Sequence, residues 1–382
     1  MVQVMVTRDD VLKTLEGVRD PELGGNVVEL GMISEVEIMG STVDIGLALT
    51  VAECPLRNQI ENDTLRRVQS MVGVEHVNLR TTAMTKKQRA GLMSVARANA
   101  REHAEPTQVS PTTRVIAIGS GKGGVGKSSI SVNVAVSMAA SGFRVGLLDA
   151  DIWGFSTPRM LGVDDRLEAN DDTKLIIPVQ AHGVKLVSTG LIIETEETAL
   201  MWRGLMLSKA LEQFLKQVDW GELDYLIIDL PPGTGDIQMA LTRMLPQAEM
   251  VVVTTPQRAA QKVAIRVADM ARRSHMPIVG VIENMAGLAC DCGRVHTVFG
   301  EGGGRELADD LGVPLIASIP LDPEVVPGGD HGRPVVSTGT GSAAGSALRA
   351  AAEKLVMLVP PAELETCTGR IAKILTELEL PA

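Results

Sequence analysis

Aromatic side chains are nearly missing: four Phe, three Trp and one Tyr in 382 residues. A single-strand nucleic-acid binder built on stacked bases needs more rings than that. Positive charge is also short, with 36 Lys and Arg against 47 Asp and Glu and a formal net charge of −11. That sign argues against a general phosphate-backbone binder, which needs a basic surface. Four cysteines are too few for a disulfide framework and point to a reducing compartment. No apolar run approaches the ~18 residues of an ordinary membrane span. The opening segment carries Asp9, Asp10 and Glu16 and lacks a basic stretch followed by a long apolar one, so no signal peptide is expected. The expectation is a cytoplasmic protein with neither nucleic acid nor membrane as partner.

What is there has ordinary globular composition, 45% hydrophobic and 22% charged. At ~150 residues per domain the length implies two domains or three. Residues 1–85 read as a small α/β unit. Asp9–Gly17 has a short helical pattern, broken by Asp20-Pro21-Glu22. Val36–Ile38 and Val43–Leu49 read as strands separated by Gly40, Leu56–Met71 as a helix and Val74–Leu79 as a third strand. Residues 86–113 are basic at first and then contain two prolines, and read as a linker. From Arg114 the pattern changes. Apolar runs at Val115–Ile118, Val145–Leu148, Lys185–Ser188, Leu226–Ile228, Met250–Val253, Ile278–Ile282 and Leu315–Ile319 alternate with helix-length segments. Such alternation predicts an α/β fold over 114–360, a mostly parallel sheet with helices on both faces. Thr338–Ser346 reads as a small-residue loop leading into a helix at Ala347–Met357, and 361–382 as a tail.

The first of those strands runs into Gly121-Lys122-Gly123-Gly124-Val125-Gly126-Lys127-Ser128. This is the full GxxxxGK[ST] pattern in its strand–loop–helix setting. Glycines let backbone N–H groups turn toward phosphates, Lys127 neutralises the β- and γ-phosphates, and the Ser128 hydroxyl is a Mg²⁺ ligand. The strand Leu226–Ile228 ends in Asp229, placed to hold the same Mg²⁺ through water. Its continuation to Asp236 suits a switch that senses the γ-phosphate. Asp149 and Asp151 follow another strand, at the end where open α/β sheets bind ligands. Each carboxylate alone is also readable as a helix cap.

Cys290-Asp291-Cys292 is the remaining chemical signal. In extended backbone, positions i and i+2 face one side, about 6–7 Å apart. Two thiolates are half of what a closed metal or iron–sulfur site takes, and a two-fold dimer supplies four. A redox pair, or two unrelated loop cysteines, explains the spacing as well. Cys54, before Pro55, and Cys367, in the tail, read as plain structural cysteines, and His296 as a solvated loop residue.

The loop at 121–128 resembles the deviant phosphate loop of MinD/ParA-like ATPases. Asp149-Ala-Asp-Ile-Trp-Gly154, Met201-Trp-Arg-Gly204, Asp229-Leu-Pro-Pro-Gly-Thr-Gly-Asp236, Thr255-Pro-Gln257, Glu283-Asn-Met285, Phe299-Gly-Glu-Gly-Gly-Gly304 and Ile319-Pro-Leu-Asp-Pro323 look like the Mrp/ApbC iron–sulfur carriers among them. Asp20-Pro-Glu22, Leu30-Gly31 and Cys54-Pro55-Leu56 resemble the small domain of metal–sulfur cluster assembly factors. The resemblance implies a homodimeric ATPase that binds an iron–sulfur cluster, [4Fe–4S] in type, and passes it to apo iron–sulfur proteins, working beside cluster scaffold proteins. It implies Lys122 as a signature lysine that reaches a nucleotide phosphate across a dimer. It also implies Asp151 as a switch carboxylate near the attacking water, Asn284 as an adenine contact, and Cys290 with Cys292 as cluster ligands. The family's cysteine spacing is CxxC, one residue longer than here.

Two other classes fit part of the pattern. A MinD/ParA-like positioning ATPase needs a basic amphipathic tail, whereas Glu363–Ala382 sets Arg370 and Lys373 against four glutamates. A zinc-stapled dimeric scaffold would use the same cysteines, and metal analysis separates it from a cluster carrier.

Overall fold

The computed structural model describes residues 6–20, 25–49, 57–85, 87–89, 91–92, 94–95, 99, 104–151, 154–192, 204–233, 235–290, 294–338 and 341–361. The chain divides into two units, Met1–His103 and Ala104–Ala382. In the first, Thr7 opens the helix Arg8–Leu15. Its side chain accepts the Asp10 N–H while the Asp10 carboxylate reaches back to Thr7, a reciprocal cap. Strand β1 (Ile33–Met39) pairs antiparallel with β2 (Thr42–Leu49), and β3 (His76–Ala83) lies parallel to β2 after the helix Arg57–Gln69. Val11, Leu15, Ile45, Leu47, Ile60 and Val68 close the core between helices and sheet.

The second unit holds β4 (Arg114–Ser120), β5 (Val145–Asp149), β6 (Glu168–Ala169), β7 (Ile176–Ile177), β8 (Val179–Ala181), β9 (Val184–Ser188), β10 (Tyr225–Asp229), β11 (Glu249–Thr254), β12 (Ile278–Ala289), β13 (Val295–His296) and β14 (Leu315–Leu321). The order β9-β5-β10-β4-β11-β12-β14 is parallel throughout. Strands β8 and β13 add antiparallel to β9 and β12. All seven strands expected from apolar runs are present, and the fold is the α/β class they imply. The run is continuous because both faces are covered. Val115 and Ala117 of β4 enter one core, and Ile116 and Ile118 enter the other. Full burial of each Val or Ile is worth about 1.5–3 kcal/mol.

The four strands not foreseen, β6, β7, β8 and β13, are two or three residues long, too short to show a period. The expected loop over 338–346 is also shorter. The helix begins at Ala343, with the Ser342 hydroxyl accepting the Gly345 N–H. Small residues there read as loop, but they let Gly345 approach the Val335 carbonyl. Residues 86–113 are not a uniform tether: Leu92 is buried in the core of the first unit and Val109 in that of the second. Among the described residues, no helix is long and apolar enough to cross a membrane.

Candidate nucleotide site and cysteine hairpin

Strand β4 ends at Ser120, and the loop 121–126 turns into the helix Lys127–Ala140. Two glycines are fixed by space. A Cβ on Gly121 would stand 2.5 Å from the backbone of Val263 and Ala264, in the neighbouring helix Arg258–Arg273. Gly126 has φ 81°, and a Cβ there would overlap the Asn284 amide. That amide in turn donates to the Val125 carbonyl at 2.9 Å, so β12 braces the loop from beside it.

Parallel register sets Asp229 level with Asp149 at the ends of adjacent strands. Both are fully buried. Lys127 Nζ lies 2.8 Å from Asp229 Oδ1 and 3.9 Å from Asp151 Oδ2. Ser128 Oγ donates to Asp229 Oδ2 at 2.6 Å, and Ser131 Oγ lies 2.7 Å from Oδ1. Asp149 accepts the Thr157 hydroxyl at 2.8 Å, the Ser188 hydroxyl at 3.2 Å and the Asp151 N–H at 3.1 Å. Burial, and then the charge of Asp229, push its carboxyl up to about 7, against the hydrogen bond from Thr157 and the charge of Lys127. Two carboxylates, Asp229 and Asp151, thus face one ammonium, with Asp149 level with Asp229 on the next strand. With a serine hydroxyl in place, the donor set suits Mg²⁺, which takes one or two carboxylates plus substrate phosphates rather than a protein cage.

The segment after Asp229 is tied to the loop strand, with Leu230 N–H donating to Ile118 O and Gly233 N–H to Ser120 O. Lys122, half-buried, donates to Gln257 Oε1 at 3.1 Å. Behind Gly126 a cavity of about 250 Å³ is bordered by Asn133, Asn284, Pro320, Asp322 and Val325. Asp322 accepts the Ser342 hydroxyl at 2.7 Å and the Ala344 N–H at 3.2 Å. Although burial opposes it, these bonds hold the Asp322 carboxyl below its ordinary range.

The structure therefore brings Lys127, Ser128, Asp151 and Asp229 together and sets Asn284 at the edge of the cavity. Ser131 was missed, although it lies one helical turn after Ser128 and so shares its face. Gln257 stood inside a quoted motif without a role. Glu283, also unassigned, is buried and accepts the Gly304 N–H at 2.7 Å and the Ser318 hydroxyl at 2.9 Å.

Cys290 directly follows β12, where the chain turns back toward β13. Cys290, half-buried, donates its N–H to Arg294 O at 2.8 Å, across the turn. Val295, His296 and Val298 are exposed beside it. Cys292 lies outside the described residues, as do Cys54, Cys367, Pro21, Glu22, Trp153, Thr234, 201–203 and the tail from 362.

A family model described as NUBPL iron-transfer P-loop NTPase matches residues 111–356, and one described as iron-sulfur cluster assembly protein matches residues 8–79. An iron-sulfur cluster carrier protein of Mycobacterium leprae is 43% identical over 356 residues, covering 90% of this chain and 91% of its own. A protein of the same name from Synechocystis is 41% identical over 365 residues, covering 94% and 100%. Among solved structures, a nucleotide-binding protein from Archaeoglobus fulgidus in complex with ADP aligns with a TM-score of 0.52 at 34% identity, over 62% of this chain and 92% of its own.

Proposed function

The chain belongs to the NUBPL-type iron-transfer P-loop NTPases, and from that premise we propose how its residues divide the work of an ATP-hydrolysing iron–sulfur cluster carrier. Loop N–H groups from Gly121 to Gly126 and the Lys127 ammonium bind the β- and γ-phosphates. Ser128 would ligate Mg²⁺, with Asp229 holding it through water. Bound there, Mg²⁺ offsets the charge that develops on the transferred phosphoryl group. Asp151 stands near enough to Lys127 to orient the attacking water. Adenine occupies the cavity beside Asn284. Lys122 reaches the phosphates of a second copy in a homodimer. The cluster is cargo, [4Fe–4S] in type, held by Cys290 and Cys292 of two copies and passed to apo iron–sulfur proteins in the cytoplasm. The exposed Val295 and Val298 give that junction apolar surface to bury.

The observation that carries this reading is the convergence of Lys127 and Ser128 on the buried Asp229, with Asp151 also within reach of the Lys127 ammonium. The deciding experiment is anaerobic reconstitution with iron and sulfide, followed by metal, sulfide and ATP-turnover assays on one preparation. The expected result is about one four-iron cluster per two chains together with ATP turnover. Zinc in place of iron and sulfide would favour the scaffold reading instead.

A further inference from the structure

The phosphate loop contains two lysines, and the fold gives them different partners. Lys127 is buried and faces two carboxylates. Lys122 meets a neutral amide, the Oε1 of Gln257 at 3.1 Å, and makes no ion pair among the described residues. An amide acceptor holds an ammonium in place without cancelling its charge.

Gln257 occupies the N-cap position of the helix Arg258–Arg273, with φ −65° and ψ 130°, yet its side chain makes no capping bond to that helix. N-cap side chains normally turn back onto the first free N–H groups. Here the amide is given to the loop instead. The turn that carries it is fixed independently. Gln261 Nε2 donates to the Pro256 carbonyl at 3.1 Å. Gly303 backs onto that turn so closely that a Cβ would collide with Gln261 Nε2 and Pro256 O. Gly121, next to Lys122, lies against Val263 and Ala264 of the same helix, nearly two turns further on. Lysine and amide are therefore both anchored at their backbones, and the one soft connection between them is the hydrogen bond.

We propose that Gln257 restrains ATP hydrolysis through Lys122: it is a neutral catch that holds the lysine against its own chain until nucleotide phosphate draws it away. The proposal rests on the reading of the loop as an ATPase site. A carboxylate at 257 would retain the lysine against the nucleotide, and an aliphatic residue would leave it loose. The amide lies between, strong enough to order a long side chain and weak enough to lose it to a multiply charged anion. The released ammonium adds positive charge that Lys127, shared between Asp229 and Asp151, does not supply alone.

The test uses full-length Gln257→Ala, Gln257→Glu and Lys122→Ala, and both Gln257 changes in the Lys122→Ala background. Acetylation of Lys122 by an N-hydroxysuccinimide ester, without nucleotide and read by peptide mass spectrometry, should rise about 10-fold in Gln257→Ala, the lower end for a hydrogen bond made by a charged group, since Lys122 is only half-buried. It should fall about 10-fold in Gln257→Glu, where both partners are ionised and the bond becomes an ion pair. Turnover at saturating ATP should rise in Gln257→Ala and fall in Gln257→Glu, with KM within about 2-fold, and neither change should matter once Lys122 is alanine. A merely structural role for Gln257 moves both variants the same way and persists without Lys122, and that result would overturn the catch. If no protein hydrolyses ATP, wild type included, the ATPase reading fails, while the acetylation rates still decide whether the catch exists.

Discussion

The phosphate loop and the cysteine hairpin stand on one sheet, and they are built on opposite terms. At the loop, Asp229, Asp149 and Lys127 are buried, and register fixes which carboxylate faces which donor. At the hairpin, one backbone bond from Cys290 to Arg294 closes the turn, and the neighbouring valines are exposed. Phosphoryl transfer gains from groups oriented in advance and shielded from water, so its machinery belongs at interior strand ends. A cargo that must leave needs a surface seat.

The comparison breaks most sharply if the interior site is emptied. Lys127→Ala should lower ATP turnover at least about 100-fold, since it removes the main cation facing the phosphates. It also leaves Asp229 and Asp149 buried without their ammonium, a loss of the kind that costs about 3–5 kcal/mol. Turnover and the thermal midpoint should both be recorded. Full activity in this variant would end the assignment of the loop.

The reverse separation is the second prediction. Cys290→Ser or Cys292→Ser should each remove most cluster absorbance and iron from reconstituted protein, because one substitution deletes two of four ligands by symmetry. ATP turnover should stay within about 2-fold, as the phosphate site is built from other elements. Cys54→Ser and Cys367→Ser should retain the cluster. A full cluster without Cys292 would sink the bridged arrangement.

Asp151 tests how finely the interior site is tuned. It lies 3.9 Å from Lys127, against 2.8 Å for Asp229, and is less deeply buried. Asp151→Ala should lower kcat about 10- to 100-fold, the usual span for a positioned acid–base group, with nucleotide affinity changed much less. An equal loss in affinity and turnover would make it a binding residue.

The order of legibility follows from the same contrast. Seven parallel strands were visible because burial on both faces leaves long unbroken Val/Ile/Leu runs. The phosphate loop was visible because the fixed positions of an eight-residue pattern, Gly121, Gly126, Lys127 and Ser128, each answer to a phosphate or Mg²⁺ constraint. Two-residue strands such as β13 leave no periodic trace, and the helix start at Ala343 was hidden by small residues that serve close packing as well as loops. Ser131 and Gln257 were silent for another reason. Nothing in a serine or a glutamine says which charged neighbour a fold will bring to it, and that choice is made by register and, for Gln257, by a turn 135 residues distant in the chain from Lys122.

The smallest expected effect concerns Ser131. Its hydroxyl is fully buried, 2.7 Å from Asp229 Oδ1 and 3.0 Å from the Lys127 carbonyl. One proton serves both acceptors, and the carboxylate is the stronger claimant. Ser131→Ala removes that bond and leaves Asp229 with Lys127 and Ser128. A hydrogen bond to a charged group is worth about 1.5–3 kcal/mol, and the surviving partners absorb part of the loss, so stability should fall by about 1–2 kcal/mol. In a unit of this size that is a drop of roughly 3–6 °C in the thermal midpoint, measured without nucleotide. Turnover should stay within about 3-fold, because Ser131 does not face the phosphates. Since Ser128 is the hydroxyl that Mg²⁺ would claim, Asp229 depends more on Ser131 when magnesium and nucleotide are bound. The midpoint gain on adding them should therefore be smaller in the variant than in the wild type. An unchanged midpoint with an unchanged gain would show that Asp229 is held by Lys127 and Ser128 alone.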